Sequence, residues 1–143
     1  MQGVNNLNKL ISSGPSKKKT DNLSMAVKNL LKVEIEMYND QLEKGCQQLE
    51  DNEFKEAIFF FDQIISMLED SNKEHLKDIL AEAYTQKGIA LSTGGIEDNI
   101  HAYECIKKAL QLNPKHEKAN LKMMAMKYDR GEVEENNDMH GLL

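Results

Sequence analysis

The chain has 143 residues, a formal net charge of −6 and 40% hydrophobic residues, enough for one compact core. Its low aromatic content and two prolines favour helices over a β-sandwich or barrel. Arg130 is the only arginine of an acidic chain, which disfavours nucleic acid as a partner because phosphate binding depends on clustered Lys and Arg. The longest apolar run, residues 57–61, is too short for a membrane span.

Residues 1–21 mix Asn, Ser, Gly and Lys without a sustained apolar period, so we predict a flexible basic N-terminal arm. Asp21 is suited to cap a helix, and after it apolar residues recur every three or four positions. This pattern predicts a long amphipathic helix, whose apolar stripe contains Leu23, Val27, Leu31, Ile35, Tyr38, Leu42, Gly45 and Leu49.

Four more helices are predicted from apolar periodicity and breaker residues, over about residues 54–70, 71–94, 98–112 and 116–130. The inward positions of these helices are expected to be Ala57, Ile58, Phe61, Ile64, Ile65, Leu68, Leu76, Ile79, Leu80, Ala83, Tyr84, Ile89, Leu91, Ile100, Tyr103, Ile106, Ala109, Leu110, Ala119, Met123, Met126 and Tyr128. Residues 22–131 are therefore predicted to form one helical domain. Residues 132–143 contain no lysine or arginine and are predicted to be a solvated acidic tail.

The predicted helices contain an internal duplication. A small residue is followed by an alanine and, four positions later, by a bulky residue: Gly45, Ala57 and Phe61 in the first pair, and Gly88, Ala102 and Ile106 in the second. A small residue on one helix allows its partner to cross closely, and the bulky residue fills the remaining space. The duplication predicts two similar helical hairpins.

The segments EKGCQQLEDNEFKEAIFFFDQII and AYTQKGIALSTGGIEDNIHAYECIKKALQLNP resemble tetratricopeptide repeats, and the resemblance covers roughly residues 38–131. It implies an all-α fold, a short right-handed superhelical stack of antiparallel helix pairs with about 2.5 repeats in five helices. The copies are 43 to 45 residues apart, longer than the usual repeat of about 34. This lengthening resembles the repeat domains of large immunophilins and related co-chaperones.

The resemblance also implies a groove lined by the first helix of each pair. Its expected contacts are Leu42, Cys46, Leu49, Thr85, Gln86, Ile89, Lys118, Lys122 and Ala125. Co-chaperones of this type grip an acidic C-terminal peptide with a clamp of Lys, Asn and Arg side chains. The corresponding positions here are Leu42, Cys46, Gln86, Lys118 and Lys122, so only the last helix comes close to matching.

The function expected from these features is non-catalytic protein binding, as an adaptor or structural subunit of an assembly. The alternative is a co-chaperone-like module that binds an acidic C-terminal peptide. No phosphate-binding loop, HExxH motif or nucleophile elbow is present, so we predict neither catalytic residues nor a cofactor. His101 and Cys105 are one turn apart but lack further ligands at zinc-site spacings, so no metal is expected.

Three sets of side chains each allow two interpretations. Phe59, Phe60 and Phe61 cannot all face inward on one helix, and the same holds for the methionines at 123, 124 and 126. Each set either packs in the core or offers a contact surface. The lysines of the last helix either contact a partner in the groove or are merely solvated.

The expected partners are proteins in the cytoplasm, with cytoskeletal and ciliary assemblies as candidates. A mitochondrial location is less favoured because the basic arm lacks arginine.

Overall fold

The computed structural model describes residues 17–96 and 99–131, and this part of the chain is all helical. The helices are α1 (Lys17–Glu50), α2 (Phe54–Leu68), α3 (Lys77–Gly94), α4 (Asn99–Leu112) and α5 (Glu117–Asp129), with a 3₁₀ turn at Glu74–Leu76. No strand occurs in the described ranges, and the predicted all-α fold class is confirmed. Most of the predicted arm, residues 1–16, and the predicted tail, residues 132–143, lie outside them.

The start of α1 differs from the sequence-based prediction. Asp21 was expected to cap the helix, but the helix already begins at Lys17. No glycine or proline separates Lys17 from Asp21, and lysine is a good helix former, so nothing in this stretch stops the helix at Asp21. The last five residues of the predicted arm are therefore helical.

The chain divides into two compact units, residues 1–37 and residues 38–143. The described part of the first unit is the N-terminal portion of α1. Several members of the predicted apolar stripe are exposed there, including Leu23, Val27 and Leu31, so this portion does not bury the stripe. In the second unit the stripe does reach the core, through Tyr38 and Leu42.

Helices in the second unit pack as antiparallel neighbours. Between α2 and α3, Lys87 forms an ion pair with Asp62 at 2.6 Å, and Tyr84 contacts Glu69. A later residue of α3 therefore meets an earlier residue of α2, which is the signature of antiparallel packing. Between α3 and α4, Tyr84 meets Lys108 whereas the later Gly88 meets the earlier Ala102, so this pair is also antiparallel. Helix α3 also contacts α5. These contacts confirm the predicted stack of helices.

The duplicated positions occupy equivalent places in the two hairpins. A Cβ atom added to Gly45 on α1 would meet the Phe61 ring on α2, and one added to Gly88 on α3 would meet Ile106 on α4. Phe61 and Ile106 are fully buried, as are the alanines four positions before them, Ala57 and Ala102. The two hairpins therefore use the same close crossing, as their sequences predict.

Tight turns separate the helices. Asn52 adopts a left-handed conformation with φ of 61°, and the amides of Asp51, Asn52 and Glu53 bond back to carbonyls of the last turn of α1. Asparagine tolerates this conformation better than most residues, which explains the abrupt end of the helix. At the end of α3, Gly95 adopts the same left-handed region with φ of 57°. Both turns were predicted at these positions.

A polar cluster joins α2, α3 and α4. The hydroxyl of Tyr84 donates to Oε1 of Glu69 at 3.3 Å. Nζ of Lys108 lies 3.6 Å from the same carboxylate oxygen and 5.4 Å from the centre of the Tyr84 ring. Burial raises the pKa of Tyr84 to about 12, and the neighbouring Glu69 carboxylate adds to the effect. The cluster ties the end of α2 to the hairpin formed by α3 and α4.

Two of the predicted inward positions, Ile100 and Tyr128, are wrong because both side chains are exposed, whereas the others are buried or partly buried. Ile100 precedes the buried Ala102 by two residues, which is about 200° of helix rotation, so it lies on the opposite side of α4. The three consecutive phenylalanines diverge as expected: Phe61 is buried, Phe60 is partly covered and Phe59 is 59% exposed. The exposed ring of Phe59 contacts Phe60 edge to face.

Candidate protein-binding groove

Side chains from α1, α3 and α5 come together around Cys46. This cysteine is half-buried on α1, and burial is the largest cause that raises the pKa of its thiol. Glu82 on α3 raises the pKa further, whereas Lys118 on α5 lowers it. An electrostatic effect on the thiol requires a nearby charge, so Glu82 on α3 and Lys118 on α5 both lie near Cys46 on α1. We call this location the Cys46 region, defined by Cys46, Glu82 and Lys118.

The charges around Cys46 are unevenly distributed. Glu50 and Glu43, on α1 itself, also raise the pKa of Cys46, although less than Glu82 does. Three carboxylates therefore act on the thiol from α1 and α3, and the cation Lys118 acts on it from α5. The α1 and α3 sides of the Cys46 region are acidic, and the α5 side is basic.

Glu82 is held in place by one hydrogen bond to each carboxylate oxygen. Nε2 of Gln86, one turn later on α3, donates to Oε1 of Glu82 at 2.8 Å. Nε2 of His116, directly before α5, lies 2.5 Å from Oε2. A carboxylate with both oxygens engaged has a defined orientation. Glu82 thereby connects α3 to the start of α5.

His116 is also the N-cap of α5. Its Nδ1 atom accepts a hydrogen bond from the backbone N–H of Ala119 at 3.1 Å. Because Nδ1 acts as an acceptor, the ring proton is on Nε2, which can then donate to Glu82. The cap and the contact with Glu82 therefore require the same tautomer of the imidazole ring. His116 positions the lysine-bearing helix α5 against α3.

The predicted groove residues divide by exposure. Leu42, Thr85 and Gln86 are buried, so they offer almost no surface to a partner. Thr85 is satisfied internally, because its hydroxyl donates to the carbonyl oxygen of Ala81 at 2.8 Å. The remaining predicted contacts have accessible surface; they are Cys46, Leu49, Ile89, Lys118, Lys122 and Ala125.

Most side chains at the positions of the co-chaperone clamp are not available to bind the carboxylate of a peptide. Leu42 and Gln86 are buried, and Gln86 is already bonded to Glu82. Neither side chain offers a free donor to a terminal carboxylate. Lys118 is exposed and also borders an open depression of about 550 Å³, lined by Asn113, Lys115, His116, Glu117, Lys118 and Leu121. The accessible positive charge therefore comes from α5.

The cation at the C-terminal end of α5 has a different role from that of Lys118. The guanidinium carbon of Arg130 lies 4.4 Å from the centre of the Tyr103 ring on α4, which is a cation–π distance. Arg130 and Lys118 are twelve residues apart, or about 18 Å along a helix. Only part of the positive charge of the last helix therefore belongs to the Cys46 region.

Two central residues of this site, Glu82 and His116, are absent from the predicted contacts. Glu82 precedes Gln86 by one turn, a spacing at which side chains on a helix interact. His116 follows Asn113 and Pro114 at the start of the last helix, where an N-cap is expected. Those signals could have suggested each residue separately. Their contact joins residues 34 positions apart, which only the packing of α5 on α3 reveals.

Within residues 17–96 and 99–131, no group of three or more His, Cys, Asp or Glu side chains is arranged to hold a metal ion. None of the helices described combines the length and the hydropathy that crossing a bilayer requires. Comparison with protein-family models, curated proteins and solved structures finds no significant match to this chain.

Proposed function

We propose that this protein is a non-catalytic adaptor or structural subunit that holds a segment of another protein in the groove formed by α1, α3 and α5. The observation that carries the proposal is the meeting of three helices at the Cys46 region, where charged side chains remain accessible beside a packed floor. The resemblance of residues 38–131 to tetratricopeptide repeats supports the same interpretation. We further propose that the chain is a short repeat protein of that type.

The charges of the groove favour one kind of partner segment. Lys118 and Lys122 on α5 complement acidic side chains, and Glu43 and Glu50 on α1 complement basic or polar ones. A segment with an acidic end toward α5 therefore matches both sides of the groove. Such complementarity sets the register and the association rate more than the affinity, so apolar contacts with Leu49 and Ile89 would supply much of the binding energy.

The fixed geometry of the groove is consistent with binding. Glu82 is bonded to Gln86 and His116, so the α3 side of the groove has one arrangement before a partner arrives. A preformed surface loses less conformational entropy on binding than a mobile one. The His116 cap in addition orients the first turn of α5, where Lys118 is located.

A matched pair of charge reversals tests the proposal. The groove variant is Lys118→Glu/Lys122→Glu, and the control is Lys55→Glu/Lys107→Glu, which changes the net charge equally at exposed positions on α2 and α4. Candidate partners are proteins that the wild type and the control retain from a cell lysate and the groove variant loses. Each candidate is then purified and titrated against all three proteins.

We expect the groove variant to bind a true partner at least about tenfold more weakly, and the control to bind it like the wild type. Equal affinity of the groove variant and the wild type for every purified partner would overturn the proposal. A peptide ending in Glu-Glu-Val-Asp distinguishes the co-chaperone alternative. Micromolar binding of that peptide, abolished by Lys118→Ala, would favour the alternative over an adaptor.

A further inference from the structure

The first half of α1 differs from the second half in both charge and burial. Residues 17–33 contain five lysines and one acidic residue, whereas residues 34–50 contain one lysine and five acidic residues. The large apolar side chains of residues 22–33 are all exposed, but Tyr38 and Leu42 in the second half are buried. The helix therefore changes from a basic stretch with an uncovered apolar surface to an acidic stretch that reaches the core. We call residues 17–33 the basic segment of α1.

Apolar and polar side chains of the basic segment lie on different sides of the helix. At about 100° per residue, one arc of about 160° contains the side chains of Leu23, Ala26, Val27, Leu30, Leu31 and Val33. No polar residue among residues 22–33 falls inside this apolar arc. Leu30, near the centre of the arc, is 69% exposed, and Val33, at one edge, is 61% exposed.

The apolar arc is wider than the strip that one partner helix covers. Two helices that pair along their length bury a narrow seam, made by two positions of each heptad. A flat apolar phase contacts a broader surface, because a helix lying parallel to it can immerse one whole side. The width of the arc therefore fits the acyl-chain boundary of a lipid surface better than it fits a single helix.

The positions of Lys28 and Lys32 favour the same partner. Both lie on the opposite side of α1 from the centre of the apolar arc, so neither could contact a helix seated on the arc. A helix in a membrane interface immerses its apolar side by about 5–10 Å, which leaves its polar side among the lipid headgroups. Lysines there can extend their flexible stems to lipid phosphates. Lys32 lies 4.0 Å from Glu36, and both side chains are largely exposed, so this weak pair leaves Lys32 accessible.

The charge of the basic segment indicates that the lipid is anionic. Five lysines and one acidic residue give the segment a formal charge of +4, although the whole chain carries −6. Its first turn contains three lysines and no acidic residue. Positive charge at a helix N-terminus is unfavourable because the backbone dipole is also positive there. Anionic headgroups beside this end would offset the repulsion and attract the lysines.

We propose that the basic segment of α1 binds the surface of a membrane that contains anionic lipid. The helix lies in the plane of the interface, with its apolar arc toward the acyl chains and its lysines among the headgroups. The acidic residues that follow Val33 set the end of the bound part, because the same surface repels them. The inference is independent of the groove, since α3 and α5 take no part in it.

Co-sedimentation of the full chain with vesicles tests the proposal. One set of vesicles contains phosphatidylcholine alone, and in the other about one lipid in three is phosphatidylserine. We expect the wild type to bind the anionic vesicles with a partition constant at least about tenfold higher than the neutral ones. Sodium chloride should weaken the binding because it screens the attraction between the lysines and the headgroups.

A matched pair of uncharged substitutions tests the apolar arc. Leu30→Gln removes an apolar side chain from its centre and should lower the partition constant at least about fivefold. Met25→Gln is the control, because Met25 is 63% exposed but lies outside the arc, so this variant should bind like the wild type. Glutamine is a good helix former, so both variants should retain the helical circular-dichroism spectrum of the wild type.

A second pair of variants tests the lysines. Lys28→Gln/Lys32→Gln should weaken binding to the anionic vesicles and leave binding to the neutral ones almost unchanged. Lys55→Gln/Lys107→Gln removes the same charge from exposed positions on α2 and α4, so it should have a clearly smaller effect.

Any of four results contradicts the proposal. The first is a wild type that does not bind the anionic vesicles at millimolar lipid, and the second is equal binding to both kinds of vesicle. The third is equal binding by Leu30→Gln and Met25→Gln. The fourth comes from sedimentation equilibrium without lipid: self-association that Leu30→Gln abolishes would show that a second copy of the chain, and not a membrane, covers the apolar arc.

Discussion

The ring of Phe61 lies so close to the backbone of Gly45 that a Cβ atom added to Gly45 would come within 2.5 Å of the ring carbon Cε1. Side-chain carbons do not approach each other so closely, so α1 and α2 can cross at this distance only without a side chain at position 45. Phe61 is fully buried, so its ring can move aside only by displacing the side chains packed around it. The first hairpin therefore depends on a glycine at a single position.

Gly45→Ala should lower the free energy of unfolding by about 1–3 kcal/mol through overpacking. The expected sign is informative, because alanine is otherwise favoured over glycine in a helix by about 1 kcal/mol. Urea unfolding of the wild type and the variant measures the difference. In the double variant Gly45→Ala/Phe61→Leu the two effects should offset each other partly. An alanine variant as stable as the wild type would contradict the close crossing.

Gly88→Ala should also destabilise the protein. A smaller side chain at Ile106 should restore less stability to this variant than Phe61→Leu restores to Gly45→Ala. An added Cβ would lie 2.8 Å from Cδ1 of Ile106 and 3.1 Å from the backbone carbonyl oxygen of Ala102. Ile106→Val removes the first contact but cannot move the second, so the coupling energy with Gly88→Ala should be smaller than in the Gly45 and Phe61 pair. Urea unfolding of the four proteins measures this coupling, and an equal or larger value would contradict the role of Ala102.

The features predicted correctly are those that a short stretch of chain determines. Gly45 could be paired with Phe61, and Gly88 with Ile106, because the same order of a small residue, an alanine and a bulky residue occurs twice in the sequence. The turn at Asn52 and the left-handed Gly95 were predicted because few residue types adopt that conformation. Each of these signals is local, and each coincides with the structure to within one or two residues.

Features that depend on how the helices pack against one another could not be predicted from the sequence. The apolar stripe of α1 was expected to be uniform, yet Leu23 and Leu31 are exposed whereas Tyr38 is buried. Periodicity indicates which side of a helix is apolar but not whether anything covers it. Likewise, no spacing rule connects Glu82 to His116, because their contact requires α5 to be packed on α3.

His116→Ala should lower the free energy of unfolding by about 1–2 kcal/mol, because it removes both the N-cap of α5 and the contact with Glu82. His116→Asn retains a side-chain acceptor for the backbone N–H of Ala119, so it should lose less. Urea unfolding distinguishes the two variants. If the two variants are equally unstable, capping is not the main role of His116.

The rate at which iodoacetamide alkylates Cys46 at neutral pH depends on the charged side chains around the thiol. The raised pKa leaves little thiolate, so the reaction should be slower than for an unperturbed thiol. Glu82→Gln should speed it severalfold because it removes a charge that raises the pKa, and Lys118→Gln should slow it because it removes the charge that lowers the pKa. Peptide mass spectrometry separates Cys46 from the buried Cys105. Lys107→Gln, on α4, is the control, and changes of equal sign at 82 and 118 would contradict the geometry of the Cys46 region.

Tyr84 should make the protein less stable at high pH. Burial, aided by Glu69, raises the pKa of its phenol to about 12, whereas an unfolded tyrosine ionises near 10. The folded state therefore binds the proton more tightly, so this stabilisation is complete below about pH 10 and is lost as the pH rises through about 12. Tyr84→Phe cannot ionise, so the wild type should lose about 1 kcal/mol more than this variant between those two pH values, after allowance for solvent screening. Urea unfolding across the alkaline range measures both slopes, and identical slopes would show that Tyr84 ionises as easily in the folded chain as in the unfolded one.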